Sequence, residues 1–302
     1  MNERGLKVMQ SSKKFGLSCA LALPLTDQFE IDCFRLAAHA RQCLEAGCSS
    51  VTVFGSTGEG ASVALAEREK VLDALSDSGI NLRHQVLGGV AAASIGDAAE
   101  QARLLLKRDC RGVLLAPPFY FKNVSDEGLY AWFSQVFERV GNDARGVILY
   151  NIPSVTQVEL SENLVSRLKA AFPDVVEGVK DSGSDWVYTE HLLKTHDDLL
   201  ILIGNERHLS RGVRLGAQGA ISGLANLIPE LLRRLVETGE DDPRIDRFED
   251  ELAELPFAPA VKALLAHLQH DPAWLNLRPP LVTLSKAQAA RLAHAYGEIF
   301  GR

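Results

Sequence analysis

Two residues in this chain have the types and spacing to work on a carbonyl compound. Lys180 is a lone cation closing the apolar run 175–180, and Tyr150 closes a similar run, 146–150, thirty residues earlier. A lysine amine is a nucleophile toward a carbonyl carbon, and a phenol beside it can carry protons to and from the adduct. Holding an ammonium in apolar surroundings without a partner is costly, which raises the neutral, nucleophilic fraction. Two further segments could serve the same site. In Gly55-Ser56-Thr57-Gly58-Glu59-Gly60 the glycines permit tight turns, and free N–H groups there can cradle a carboxylate. Pro117-Pro118-Phe119-Tyr120-Phe121 is aromatic enough to wall a pocket or to meet a second subunit.

Each of these signals has a structural alternative when taken alone. Lys180 can pair with Glu177 or Asp181 at a rim, although neighbours on a strand point to the opposite face. Tyr150 can simply pack its ring. The glycine segment can be an ordinary turn; it is not a P-loop, since no Gly-Lys-Ser/Thr follows, and it lacks the dinucleotide fingerprint. Their meaning depends on the elements that carry them.

Eight short apolar or β-branched runs recur at 17–23, 50–54, 85–90, 112–116, 146–150, 175–180, 199–203 and 219–224. Their continuous hydrophobicity suits parallel strands covered on both faces. Helical patterns alternate with them. Asp32 caps a helix that stripes Cys33, Leu36, Ala37, Ala40, Cys43 and Leu44 and stops at Gly47, while others open at Ser125 and Ser161. Strand then helix, eight times without a linker, reads as an α/β fold: a (β/α)8 TIM barrel with a C-terminal helical extension. The expected division is an N-terminal arm at 1–16, a catalytic barrel at 17–240 and the extension at 241–302. Further helices are predicted at 229–238, 245–255, 258–269 and 285–300. In such a barrel, residues at the carboxyl ends of strands face the active site.

Composition narrows the class of ligand. The 302 residues are 46% apolar and 24% charged, ordinary for a globular chain. A net charge of −7 offers no general attraction to nucleic acid or anionic lipid, so small-molecule work is expected. No apolar run is long enough to span a membrane, and residues 1–15 lack a secretory pattern. Five cysteines, Cys19, Cys33, Cys43, Cys48 and Cys110, form no C-x-x-C pair and read as thiols of a reducing cytosol.

The four segments, in this order and on these strands, resemble the dihydrodipicolinate synthase and N-acetylneuraminate lyase family of class I, Schiff-base aldolases. The likeness runs from about residue 17 to Arg278-Pro279-Pro280. It implies that Lys180 forms an imine with pyruvate or a 2-keto acid and that Tyr150 shuttles protons. It implies too that Ser56 and Thr57 bind the keto-acid carboxylate, Thr57 also linking Tyr150 to a relay. Tyr120 would reach into the neighbouring subunit's site, and Ile221 would lie beside the pyruvyl group. The resemblance implies a 2-keto acid and an aldehyde as partners, a homo-oligomer (dimer or tetramer), and no cofactor and no metal.

Departures bear on the substrate. Where dihydrodipicolinate synthases carry an arginine for the carboxylate of aspartate semialdehyde, this chain has Val155. Glu206 stands where the neuraminate lyase branch has a hydroxyl-binding acid, followed by Arg207, a candidate carboxylate ligand; Ser182 is a candidate for a C4 hydroxyl. The expected activity is that of an aldolase making or cleaving a 4-hydroxy-2-keto acid other than the lysine-pathway substrate. A dehydratase of 2-keto-3-deoxy sugar acids using the same imine, and a non-catalytic keto-acid binding protein, are the alternatives.

Overall fold

The computed structural model describes residues 14–301. Eight strands, β1 (Gly16–Ala20), β2 (Ser50–Val53), β3 (Val86–Val90), β4 (Gly112–Leu115), β5 (Val147–Asn151), β6 (Val176–Asp181), β7 (Leu200–Ile203) and β8 (Gly219–Ser222), form one closed parallel barrel. Every predicted run overlaps its strand, with nearly all ends within two residues; β1, β5 and β6 each reach one residue beyond their runs. Of the expected arm at 1–16, residues 1–13 lie outside the described residues. Phe15 and Gly16 already belong to the barrel, with Phe15 in its interior cluster and β1 starting at Gly16.

The helices are α1 (Cys33–Glu45), α2 (Leu65–Asp77), α3 (Leu82–Gln85), α4 (Ile95–Lys107), α5 (Asp126–Val140), α6 (Pro153–Thr156), α7 (Glu162–Ala171), α8 (Trp186–Thr195), α9 (Leu209–Arg214), α10 (Pro229–Thr238), α11 (Pro243–Leu252), α12 (Phe257–Leu268) and α13 (Lys286–Phe300). Caps fall where short polar side chains permit. Asp32 Oδ1 accepts from the Arg35 N–H at 2.8 Å, and Ser125 and Ser161 cap α5 and α7 in the same way. Helices α11 and α12 pack against the turns that follow β7 and β8, so the end of the chain shares a face with the carboxyl ends of those strands.

The core has two shells. Between strands and helices lies a large cluster that includes Val147, Leu149, Val176 and Val179. Inside the barrel lies a smaller one with Leu114, Ile148, Tyr150, Leu202 and Ile221. A register shift between β5 and β6 links the two. Val147 pairs with Val176, but Ile148 pairs with Gly178, leaving Glu177 as an extra, exposed residue. Strict alternation would put Lys180 on the same face as Val176, toward the helices. The bulge reverses the parity: Val179 faces outward with Val176, and Lys180 turns into the barrel.

Candidate active site

Tyr150 and Lys180 are register partners on β5 and β6. Lys180 Nζ donates to the Tyr150 hydroxyl at 3.2 Å and lies 4.3 Å from the centre of its ring. Both residues are 5% exposed. The alternative ion pairs are not formed. Asp181 faces the helical shell, where it accepts from Asn151 Nδ2 at 2.9 Å, the Gly183 N–H at 3.0 Å and Thr189 Oγ1 at 2.6 Å. Glu177 is the exposed bulge residue.

The end of β7 shapes the space around the amine. A Cβ on Gly204 would stand 2.7 Å from Lys180 Cε and 2.1 Å from Ser182 Oγ, so glycine makes room for the lysine stem. Ser182 Oγ is buried with no hydrogen-bond partner, a hydroxyl available beside Lys180. Ile221 is fully buried in the interior cluster with Tyr150.

The turn after β2 is held by backbone constraint. Phe54 and Glu59 both have left-handed backbone (φ 60 and φ 51), and a Cβ on Gly60 would fall 1.7 Å from Phe54 O. Among the described residues, the N–H groups of Ser56, Thr57 and Gly58 engage no acceptor, the arrangement of an anion-binding concavity. Ser56 is exposed at the cavity wall and Thr57 is buried. The expected bond from Thr57 to Tyr150 is absent. Thr57 Oγ1 instead faces Gly223 at the end of β8, 2.9 Å from where a Cβ there would stand, and the phenol is engaged by Lys180.

Tyr120 is not gathered here. Tyr120 is 74% exposed and meets Phe121 edge-on at 5.2 Å, reaching no site residue of its own chain. Glu206 is buried and accepts from Ser222 Oγ. Burial pushes its carboxyl up, against the opposing pull of the Ser222 hydrogen bond and the charge of Lys180. Burial likewise raises Glu249 of α11, and the negative charge of the neighbouring Glu206 adds to that. Arg207 donates to Asp250 at 2.6 Å and lies 3.5 Å from Asp246, two acids one turn apart on α11.

Tyr150 also walls a cavity of about 340 Å³, together with Ser56, Phe119, Val155 and, from the C-terminal segment, Pro280 and Leu281. Lys180 stands behind the phenol rather than on this wall. The sequence reading missed the C-terminal contribution and its anchor. Lys262 Nζ, fully buried, donates to Glu59 Oε1 at 2.7 Å, and Glu59 Oε2 accepts the Arg278 N–H at 3.0 Å. The signal was present: Lys262 is a lone cation in an apolar run, 259–265, the pattern that singled out Lys180.

The chain matches the Dihydrodipicolinate synthetase family over residues 13–297. It is 31% identical over 292 residues to a protein of Chloroflexus aurantiacus described as an uncharacterized DapA-like lyase, covering 94% of this chain and 96% of that one. It is 30% identical over 300 residues to 4-hydroxy-tetrahydrodipicolinate synthase 1 of Streptomyces coelicolor, covering 95% of each. Among solved structures, the dihydrodipicolinate synthase of Agrobacterium tumefaciens superposes with a TM-score of 0.93 at 51% identity, covering 95% of this chain and 100% of that one.

Proposed function

Because the chain belongs to the dihydrodipicolinate synthetase family, and is therefore an enzyme of the aldolase and lyase class, we propose that it is a pyruvate-dependent aldolase acting through a Schiff base on Lys180. The observation that carries this reading is the inward Lys180 with its amine 3.2 Å from the Tyr150 hydroxyl. Lys180 Nζ attacks C2 of pyruvate, and the carbinolamine loses water to give the imine. Tyr150 is the group in reach to supply and recover the protons. The open N–H groups of Ser56 and Thr57 support binding of the pyruvate carboxylate, and Ile221 offers an apolar surface beside the methyl group.

The protonated imine draws electrons from C3, so the enamine can add to an aldehyde, or the reverse cleavage can proceed. The product is a 4-hydroxy-2-keto acid, and Ser182 Oγ is the unpaired hydroxyl available for its C4 oxygen. The acceptor is not aspartate semialdehyde, although the Streptomyces and Agrobacterium relatives carry synthase names. Val155 stands at the cavity wall, 63% exposed, where an arginine would be needed for the second carboxylate.

Borohydride reduction in the presence of pyruvate tests the reading. A reduced pyruvyl adduct on the Lys180 peptide, identified by mass spectrometry, is the expected result; an unmodified Lys180 sinks it. Pyruvate release from a 4-hydroxy-2-keto acid distinguishes the aldolase from a dehydratase, which would leave a dehydrated keto acid.

A further inference from the structure

Resting on the aldolase reading, we infer that the acceptor is an uncharged aldehyde with an apolar aryl or branched-alkyl group, seated against Phe119, Val155 and Leu281. At about 340 Å³ the cavity falls in the range of small-molecule pockets, roughly 300–1,000 Å³. Its wall is mostly apolar, built by Phe54, Leu114, Phe119, Ile152, Val155 and Leu281; its polar side chains are Ser56, Glu59, Ser62, Tyr150 and Thr156.

Among the described residues, no lysine, arginine or histidine lines it. The one carboxylate on the wall, Glu59, is already committed to Lys262 and to the Arg278 N–H. An acceptor with its own carboxylate would bury an unpaired charge near another anion. A polyhydroxylated acceptor would set most of its hydroxyls against apolar surface, since only Ser56, Ser62 and Tyr150 offer hydroxyls not already bonded to the backbone. Only the aldehyde oxygen needs a polar partner, and Tyr150, whose hydroxyl meets the Lys180 amine, lines the cavity.

Two walls come from distant parts of the chain. Val155 lies on α6, and Leu281 follows a segment pinned to the β2 turn: Arg278 donates to Ser62 O at 2.7 Å and to Glu67 Oε2 at 2.9 Å. That anchoring holds Pro280 and Leu281 over the cavity, making the C-terminal segment a specificity element.

The reaction balances with the groups named. C3 of the enamine forms a bond to the aldehyde carbon, and the aldehyde oxygen takes a proton to become the 4-hydroxyl. Water then hydrolyses the imine, releasing the amine and the 4-hydroxy-2-keto acid.

The test uses full-length enzyme, pyruvate and four aldehydes: benzaldehyde, isobutyraldehyde, glyceraldehyde and succinic semialdehyde. The expected kcat/KM for benzaldehyde or isobutyraldehyde exceeds that for the other two by at least about tenfold. Val155→Arg, at an exposed position, is expected to raise kcat/KM for succinic semialdehyde about tenfold and to lower that for benzaldehyde. Preference of the unmodified enzyme for succinic semialdehyde or glyceraldehyde, with Lys180 trapping intact, overturns the apolar acceptor alone. Absence of trapping overturns the aldolase reading and this inference with it. An unchanged preference in Val155→Arg removes Val155 from the specificity wall.

Discussion

At the scale of single residues, Lys180 and Lys262 show how one sequence signal leads to two outcomes. Each is a lone cation in an apolar run and each is buried, but Lys262 is ion-paired with Glu59 whereas Lys180 meets only a phenol. A paired ammonium is structural, while an amine beside a proton donor and an unpaired hydroxyl is placed to react. Replacing Tyr150 by Phe removes the proton carrier and keeps the ring, so kcat is expected to fall about 10²- to 10⁴-fold. Steady-state pyruvate turnover, with a melting curve to show an intact fold, measures this. Gly204→Ala tests positioning. Its Cβ would press on Lys180 Cε and Ser182 Oγ, and a displaced amine is expected to cost about a hundredfold in kcat. Full activity in that variant would mean that the lysine stem has other room.

Among elements, the buried pair between the β2 turn and α12 ties the catalytic face to the end of the chain. Glu59→Gln leaves the Lys262 ammonium without its carboxylate, and loss of one partner of a buried pair costs about 3–5 kcal/mol. Denaturant unfolding reads that loss. Glu59→Leu combined with Lys262→Met is expected to recover much of it, because the uncompensated charge is gone. A second link joins the β7 turn to α11 through Glu206 and Glu249. Burial and the neighbouring carboxyl hold Glu249 above the carboxylate range, to about 8. Between its unfolded value and about 8, the folded state keeps a proton that the unfolded chain has lost. Stability from this group therefore declines as pH rises from 5 to 8. Melting temperatures across that range are expected to fall less in Glu249→Gln, whose amide does not titrate. Equal slopes would remove Glu249 as the group responsible.

For the whole molecule, Tyr120 poses the question of assembly. Its exposed ring reaches nothing in its own site, as expected of a residue that serves a neighbour. If it does, Lys180→Ala and Tyr120→Phe chains, each weakly active alone, should complement when unfolded and refolded together. A hybrid dimer then contains one site with both Lys180 and a tyrosine from the other chain. Mixed samples no more active than the separate ones would confine Tyr120 to its own surface.

Much of this organisation is legible in the sequence because it arises from local physics. Continuous apolar runs mark strands buried on both faces, Asp32, Ser125 and Ser161 announce helix starts, and the strand-helix alternation leads to a parallel barrel. Lys180, Tyr150 and the glycine turn can be chosen as a group for the same reason: strand ends of such a barrel converge. The orientation of Lys180 is different. Alternation from Val176 would send it outward, and only the bulge at Glu177, set by pairing with β5, turns it into the barrel. The partners of Arg207 and Glu59 were equally invisible, because they lie on α11, on α12 and at Arg278. Contacts between residues far apart in the chain exist only once the barrel has closed, and it was those contacts that decided which charged groups were free for chemistry and which were bound to hold the fold.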